Sequence, residues 1–162
     1  MSARNKIIAL EDLPPLVQKL KREGKSIVTT NGAFDLFHIG HLRALEASKG
    51  LGDVLIVGIN SDESVKEYKS PVRPIVPESE RAEVIASLEC VDYVTIFPET
   101  TPVRFLELVQ PNVHTKSSDR DPEKMPETSL VKKYGGEVVM VPMIPGHSTT
   151  ALIERIRAGD RQ

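Results

Sequence analysis

His38 and His41 stand three residues apart with Gly40 between them, close behind Asn31, Gly32, Ala33, Phe34 and Asp35. On the first turn of a helix, positions i and i+3 share a face, so both imidazoles can reach one ligand. Gly40 carries no Cβ and would let a phosphate approach the backbone. Imidazole donors at such a turn can hold the oxygens on which charge builds during displacement at phosphorus, which points to phosphoryl or nucleotidyl transfer. A zinc pair would need a third ligand, and besides carboxylates the chain offers only Cys90, His114 and His147. No metal ligand set is assigned.

The elements around this stretch explain how it could be held. Ile27 to Thr30 is an apolar, β-branched run that reads as a buried strand, and Leu42 to Lys49 reads as a helix ending at Gly50 and Gly52. The histidines therefore sit on a strand-to-helix turn, where backbone N–H groups and the helix dipole favour anions. Further strands are expected at Asp53–Ile59, Val91–Phe97, Pro111–Lys116 and Glu137–Val141. Helices are expected between them, at 78–88 with Val84, Ile85 and Leu88 inward, from Pro102 to about Val109, and from Pro126 to Tyr134. Such alternation predicts an α/β class protein with a doubly wound, five-stranded parallel sheet. Ligands of these sheets bind at the carboxyl ends of the strands. Lys116 falls at one such end, which favours a phosphate role. Ser148, Thr149 and Thr150 precede a helical stretch and form a second candidate phosphate cradle. Asn60 to Ser64 reads first as a set of helix caps. Lys66, Lys69 and Arg73 lie in a proline-stiffened loop over 66–77, which reads equally as a solvated surface loop or a loop closing over a polyphosphate.

With 162 residues, the chain is expected to form a single domain over 1–162, with a helical extension over 1–25. A formal net charge of −2 offers no basic field for a nucleic-acid backbone, so any cationic cluster must serve a small ligand. The lone Cys90 excludes an intramolecular disulfide and fits a reducing compartment. With neither a signal-peptide core nor a membrane-length apolar run, a cytoplasmic protein without membrane partners is expected. Gly24-Lys25-Ser26 resembles the end of a P-loop, yet it lacks the earlier glycine and precedes a strand.

Asn31-Gly32-x-Phe34-Asp35-x-x-His38-x-Gly40-His41 resembles the H-x-G-H signature of the nucleotidyltransferase superfamily that includes the cytidylyltransferases. Outside it, Gly52 to Asp62, Arg73-Pro74-Ile75, Glu80-Arg81, Leu88 to Asp92 and Ser148 to Ile153 resemble the heptose-1-phosphate adenylyltransferases. That resemblance implies a Rossmann-like nucleotidyltransferase fold and transfer of AMP from ATP to a sugar 1-phosphate. The acceptor implied is D-glycero-D-manno-heptose 1-phosphate, with ADP-heptose and pyrophosphate as products. It also implies His38, His41 and Lys116 as catalytic residues, and Asn31, Gly32, Ala33, Phe34, Gly40, Ser148, Thr149 and Thr150 around the nucleotide. Asp35, Asn60, Asp62, Arg73 and Arg81 fall on the acceptor side, Mg²⁺ accompanies ATP, and the protein is expected to be a homodimer through the 88–92 segment. A cytidylyltransferase for glycerol-3-phosphate or another polyol phosphate is the alternative. A non-catalytic nucleotide-binding regulatory module is the alternative of another class. Where the heptose enzymes read Gly-Gly-Asp-Tyr after the lysine, this chain has Ser117-Ser118-Asp119-Arg120, which bears on the acceptor more than on the chemistry.

Overall fold

The computed structural model describes residues 2–117 and 121–159. Five parallel strands form one sheet: β1 Ile27–Gly32, β2 Val54–Asn60, β3 Tyr93–Phe97, β4 Val113–Lys116 and β5 Glu137–Met140. Their spatial order is β3-β2-β1-β4-β5. The chain thus winds outward from β1 on one side, then crosses back to continue on the other. In such a sheet the crevice lies above the carboxyl ends of the two central strands, here β1 and β4.

Helices cover both faces, so β1, β2 and β4 are buried along most of their length, including the polar Thr29, His114 and Thr115. One face is packed by α1 (Leu13–Arg22), α5 (Val103–Val109) and α6 (Pro126–Lys133), which bury Leu13, Val17, Phe105, Leu106 and Val131 against Ile27 and Ile56. The other is packed by α2 (Ile39–Lys49) and α4 (Glu78–Ala86), through Leu45, Ala82 and Ile85. Two shorter or more exposed helices, α3 (Asp62–Tyr68) and α7 (Thr149–Gly159), follow β2 and the Ser148 loop. Among the described residues no helix is long and apolar enough to cross a membrane.

Several local expectations change in the structure. α2 begins at Ile39 rather than Leu42, because His38 caps it. Residues 62–68 are helical, with the Ser61 hydroxyl accepting from the Ser64 N–H, so the expected loop over 66–77 shortens to 69–77. Val84 points outward, 44% exposed, where the helix pattern had placed it inward. Residues 1–25 are more than a helical appendage: the Ile8 N–H donates to the Val94 carbonyl, while Leu10 and Leu13 enter the core. In the 88–92 segment Val91 is fully buried, and the Asp92 carboxylate accepts from Lys49 Nζ and the Leu55 N–H. Leu88 and Cys90 are partly buried against the same core, while Glu89 is exposed.

Candidate active site

The turn between β1 and α2 is braced from below by Asp35. Its carboxylate, 1% exposed, accepts from Arg73 Nε at 2.8 Å, the Ile75 N–H at 2.9 Å and the Val76 N–H at 3.0 Å. Burial alone would raise its pKa, but these two backbone N–H groups and the Arg73 guanidinium hold it below the usual carboxylate range. On either side Phe34 and Leu36 adopt left-handed backbone, with φ of 51° and 47°. Such conformations cost energy in non-glycine residues and persist where surrounding contacts over-determine them. Thr149 supplies another of those contacts, its hydroxyl donating to the Asp35 carbonyl.

This brace delivers the histidine pair. The rings of His38 and His41 stack with centroids 3.8 Å apart. His38 Nδ1 accepts from the Gly40 N–H at 3.0 Å, and His41 Nδ1 accepts from the His38 N–H at 3.4 Å. With both Nδ1 atoms acting as acceptors, each neutral ring carries its proton on Nε2 and presents a donor. Burial, then the charges of His38 and Lys69, pushes His41 down to about 4. His38 is lowered too, by burial first and by His147 second. Two neutral Nε2–H donors are the result. Besides the expected phosphate approach, Gly40 meets a steric requirement. A Cβ there would stand 2.8 Å from His38 Cε1, so a side chain would displace the capping ring.

Above the pair lies a cavity of about 380 Å³. All the expected catalytic and nucleotide-side residues reach its wall: Asn31, Gly32, Ala33, Phe34, Gly40, His38, His41, Lys116, Ser148, Thr149 and Thr150. Lys116 Nζ is fixed by Asn31 Oδ1 at 2.7 Å and by Glu127 Oε1 at 2.8 Å. The Ser148 hydroxyl accepts from the Ala151 N–H at 3.0 Å and so caps α7. Two helix N-termini, those of α2 and α7, therefore face one cavity.

On the acceptor side only Asp35 lines the cavity. Asn60, Asp62, Arg73 and Arg81 do not, and each is occupied in tying the fold together. Arg81 is buried, donating from Nε to the Val76 carbonyl and from Nη1 to that of Ala33. Its Nη2 reaches the Asn60 carbonyl at 2.9 Å and Asp62 Oδ1 at 2.8 Å. The Asn60 amide donates to Ser64 Oγ and the Glu99 carbonyl. Arg73 turns inward to Asp35 instead of pointing out of its loop, and its Nη2 is buried without a partner among the described residues. With three fixed carbonyl acceptors the Arg81 guanidinium forms a strut, a role that sequence pattern cannot tell from a ligand contact.

Further residues complete the wall. Tyr68, Lys69, His147 and Met143 line the same cavity. Burial chiefly lowers the pKa of Lys69. Lys69 belongs to the proline-stiffened loop, on its reading as a loop over a polyphosphate, whereas Tyr68 carries no expectation of its own and His147 directly precedes Ser148. Ser117 is also a lining residue, while Ser118 lies outside the described residues.

Residues 29–155 match the Cytidylyltransferase-like family. The "Bifunctional protein HldE" of Geotalea uraniireducens is 46% identical over 154 residues, covering 95% of this chain and 31% of that protein. The protein of the same name from Rhodopseudomonas palustris is 45% identical over 160 residues, covering 98% of this chain and 33% of that one. The chain thus spans about a third of the length of these curated relatives. The crystal structure of a lipopolysaccharide core biosynthesis protein from Thermoplasma volcanium is 30% identical, with a TM-score of 0.62. The likeness covers 75% of this chain and 98% of that one. Pantoate-beta-alanine ligase from Francisella tularensis, at 16% identity and a TM-score of 0.61, shares the fold.

Proposed function

The chain belongs to the cytidylyltransferase-like family, and from that premise we propose that it transfers AMP from ATP to a sugar 1-phosphate, D-glycero-D-manno-heptose 1-phosphate. A phosphate oxygen of the acceptor attacks the α-phosphorus of ATP. The new O–P bond forms as the bond to the β-phosphate oxygen breaks, and pyrophosphate leaves. The observation that carries this reading is the stacked pair of imidazoles, each with its Nδ1 accepting from a backbone N–H, at a helix N-terminus that opens into the cavity.

His38 and His41 donate to oxygens of the reacting phosphates, whose charge rises as the bond breaks. Being neutral, they bind by directed hydrogen bonds, and their advantage is largest where the oxygen is most negative, in the transition state. Lys116 adds a point charge from the carboxyl end of the neighbouring strand β4. The N-terminus of α7, capped by Ser148, places backbone N–H groups beside the remaining phosphate oxygens. No covalent intermediate is required, since position and charge stabilisation suffice for transfer at phosphorus.

Mg²⁺ fits this site as a companion of ATP, held by phosphate oxygens and water. The cavity's own carboxylate, Asp35, has both oxygens engaged by Arg73, Ile75 and Val76. When bound, the ion neutralises charge on the polyphosphate.

Pyrophosphate release tests the reading. The four nucleoside triphosphates with Mg²⁺ are each offered with heptose 1-phosphate and with glycerol-3-phosphate. Release with ATP and the heptose phosphate is expected. Turnover confined to CTP and glycerol-3-phosphate would replace it with a cytidylyltransferase. Nucleotide binding without release under any pairing would make the chain a binding module.

A further inference from the structure

Lys116 has a partner that an anion site would not be expected to tolerate. Its ammonium, at the carboxyl end of β4, touches the Glu127 carboxylate at 2.8 Å, and the two side chains are only 15% and 11% exposed. A carboxylate beside a phosphate-binding cation repels the incoming phosphate, so plain affinity does not account for its presence. The geometry supplies another reason. An ammonium carries three N–H donors on a flexible stem. Here two are committed to acceptors on separate elements, Asn31 on β1 and Glu127 in the first turn of α6. The third is left for an oxygen in the cavity that Lys116 lines. His114, two residues earlier on the same strand, is buried and pushed down to about 3 by burial and by Lys116, so it stays neutral beside the pair.

We propose that Glu127 is a positioning residue for nucleotidyl transfer, which acts through Lys116 by fixing its remaining N–H on the phosphate oxygen that gains charge. The inference rests on the reading of the cavity given above. Glu127 itself touches no substrate. Its carboxylate trades some ground-state attraction for an ammonium that needs no reorganisation as the bond breaks.

The test is a double-mutant cycle on Glu127 and Lys116, with kcat and KM read separately. Glu127→Ala is expected to lower kcat about tenfold, as a catalytic group loses its fixed position. The KM for ATP should not rise, because the removed carboxylate repels the triphosphate. Glu127→Gln keeps an acceptor oxygen and the side-chain volume, so most of kcat should return. In a Lys116→Ala background, Glu127→Ala should change kcat by less than about twofold. Wild-type kcat in Glu127→Ala, or an equal further loss in the Lys116→Ala background, would overturn the proposal. If Glu127→Ala does not fold, Glu127→Gln carries the cycle, with a few-fold effect expected only where Lys116 is present.

Calorimetric titration of the same variants with inorganic pyrophosphate separates the two readings. A wild-type protein that turns over, with additive effects of the two substitutions, leaves the transferase reading and removes Glu127. A wild-type protein without turnover removes the transferase reading. Non-additive pyrophosphate affinities would still support the coupling, and additive ones, or no binding by wild type, would overturn it.

Discussion

The Thr149 hydroxyl donates a 2.7 Å hydrogen bond to the carbonyl oxygen of Asp35, 114 positions earlier in the chain. It ties the N-terminus of α7 to the turn that carries the histidines, so the two phosphate cradles are held in one frame. The Asp35 carboxylate meanwhile grips Arg73, Ile75 and Val76. One residue thereby joins three segments that surround the cavity.

Thr149→Val should remove that tie while keeping the side chain's shape. A loss of about 1 kcal/mol in unfolding free energy is expected for one hydrogen bond. The KM for ATP should rise, and Thr149→Ser should restore both quantities. Denaturant titration alongside steady-state kinetics checks this, and a Thr149→Val protein with unchanged KM would show that the cradles do not depend on this contact.

For the histidine pair, His38→Ala and His41→Ala should each reduce kcat by about 10²-fold or more with a much smaller change in ATP affinity. His38→Ala should also cost about 1 kcal/mol of stability, because it removes the cap on the Gly40 N–H. Loss of ATP binding in both variants, measured by calorimetry, would instead assign the rings a ground-state role.

Arg81 predicts the opposite pattern. Arg81→Met strands the carbonyls of Ala33, Asn60 and Val76 and leaves Asp62 without its partner. A destabilisation of roughly 3 kcal/mol or more is expected for breaking such a buried network. In whatever fraction stays folded, the acceptor KM should match wild type. A stable variant with a raised acceptor KM would return Arg81 to the substrate side.

His114 sets a pH dependence of stability. Burial first, and Lys116 second, pushes its pKa to about 3 from an ordinary value of 6.5. As pH falls through that window the unfolded chain takes up a proton that the folded chain refuses, so stability drops by up to ~1.4 kcal/mol per pH unit. Above the window the group contributes no slope. His41, pushed to about 4, acts in the same direction. His114→Gln should therefore lose stability less steeply than wild type between pH 6.5 and 4, as read from urea midpoints across pH, and parallel profiles would refute the assignment.

Much of the fold was legible in the residues. The strand runs at Ile27 and Val54 are apolar on both faces, the helices between them follow their own period, and a parallel sheet is what such alternation can build. His38, Gly40 and His41 could be recognised because their relation is local, fixed by three residues of chain at a helix start. Ser148 was legible on the same ground, as a hydroxyl ahead of a helix.

Tertiary structure alone decided what the charged residues do. Arg73 and Arg81 carry the same charge and flexibility whether they meet a substrate or a backbone carbonyl, and only the approach of distant segments selects the partner. Lys116 and Glu127 lie eleven positions apart in sequence with unremarkable spacing, yet the packing of α6 beside β4 brings their charges to 2.8 Å. Local patterns specify elements because backbone geometry repeats along the chain. Which ion pairs form depends on the sheet order, since Coulomb interactions at a few ångströms are set by distance through space.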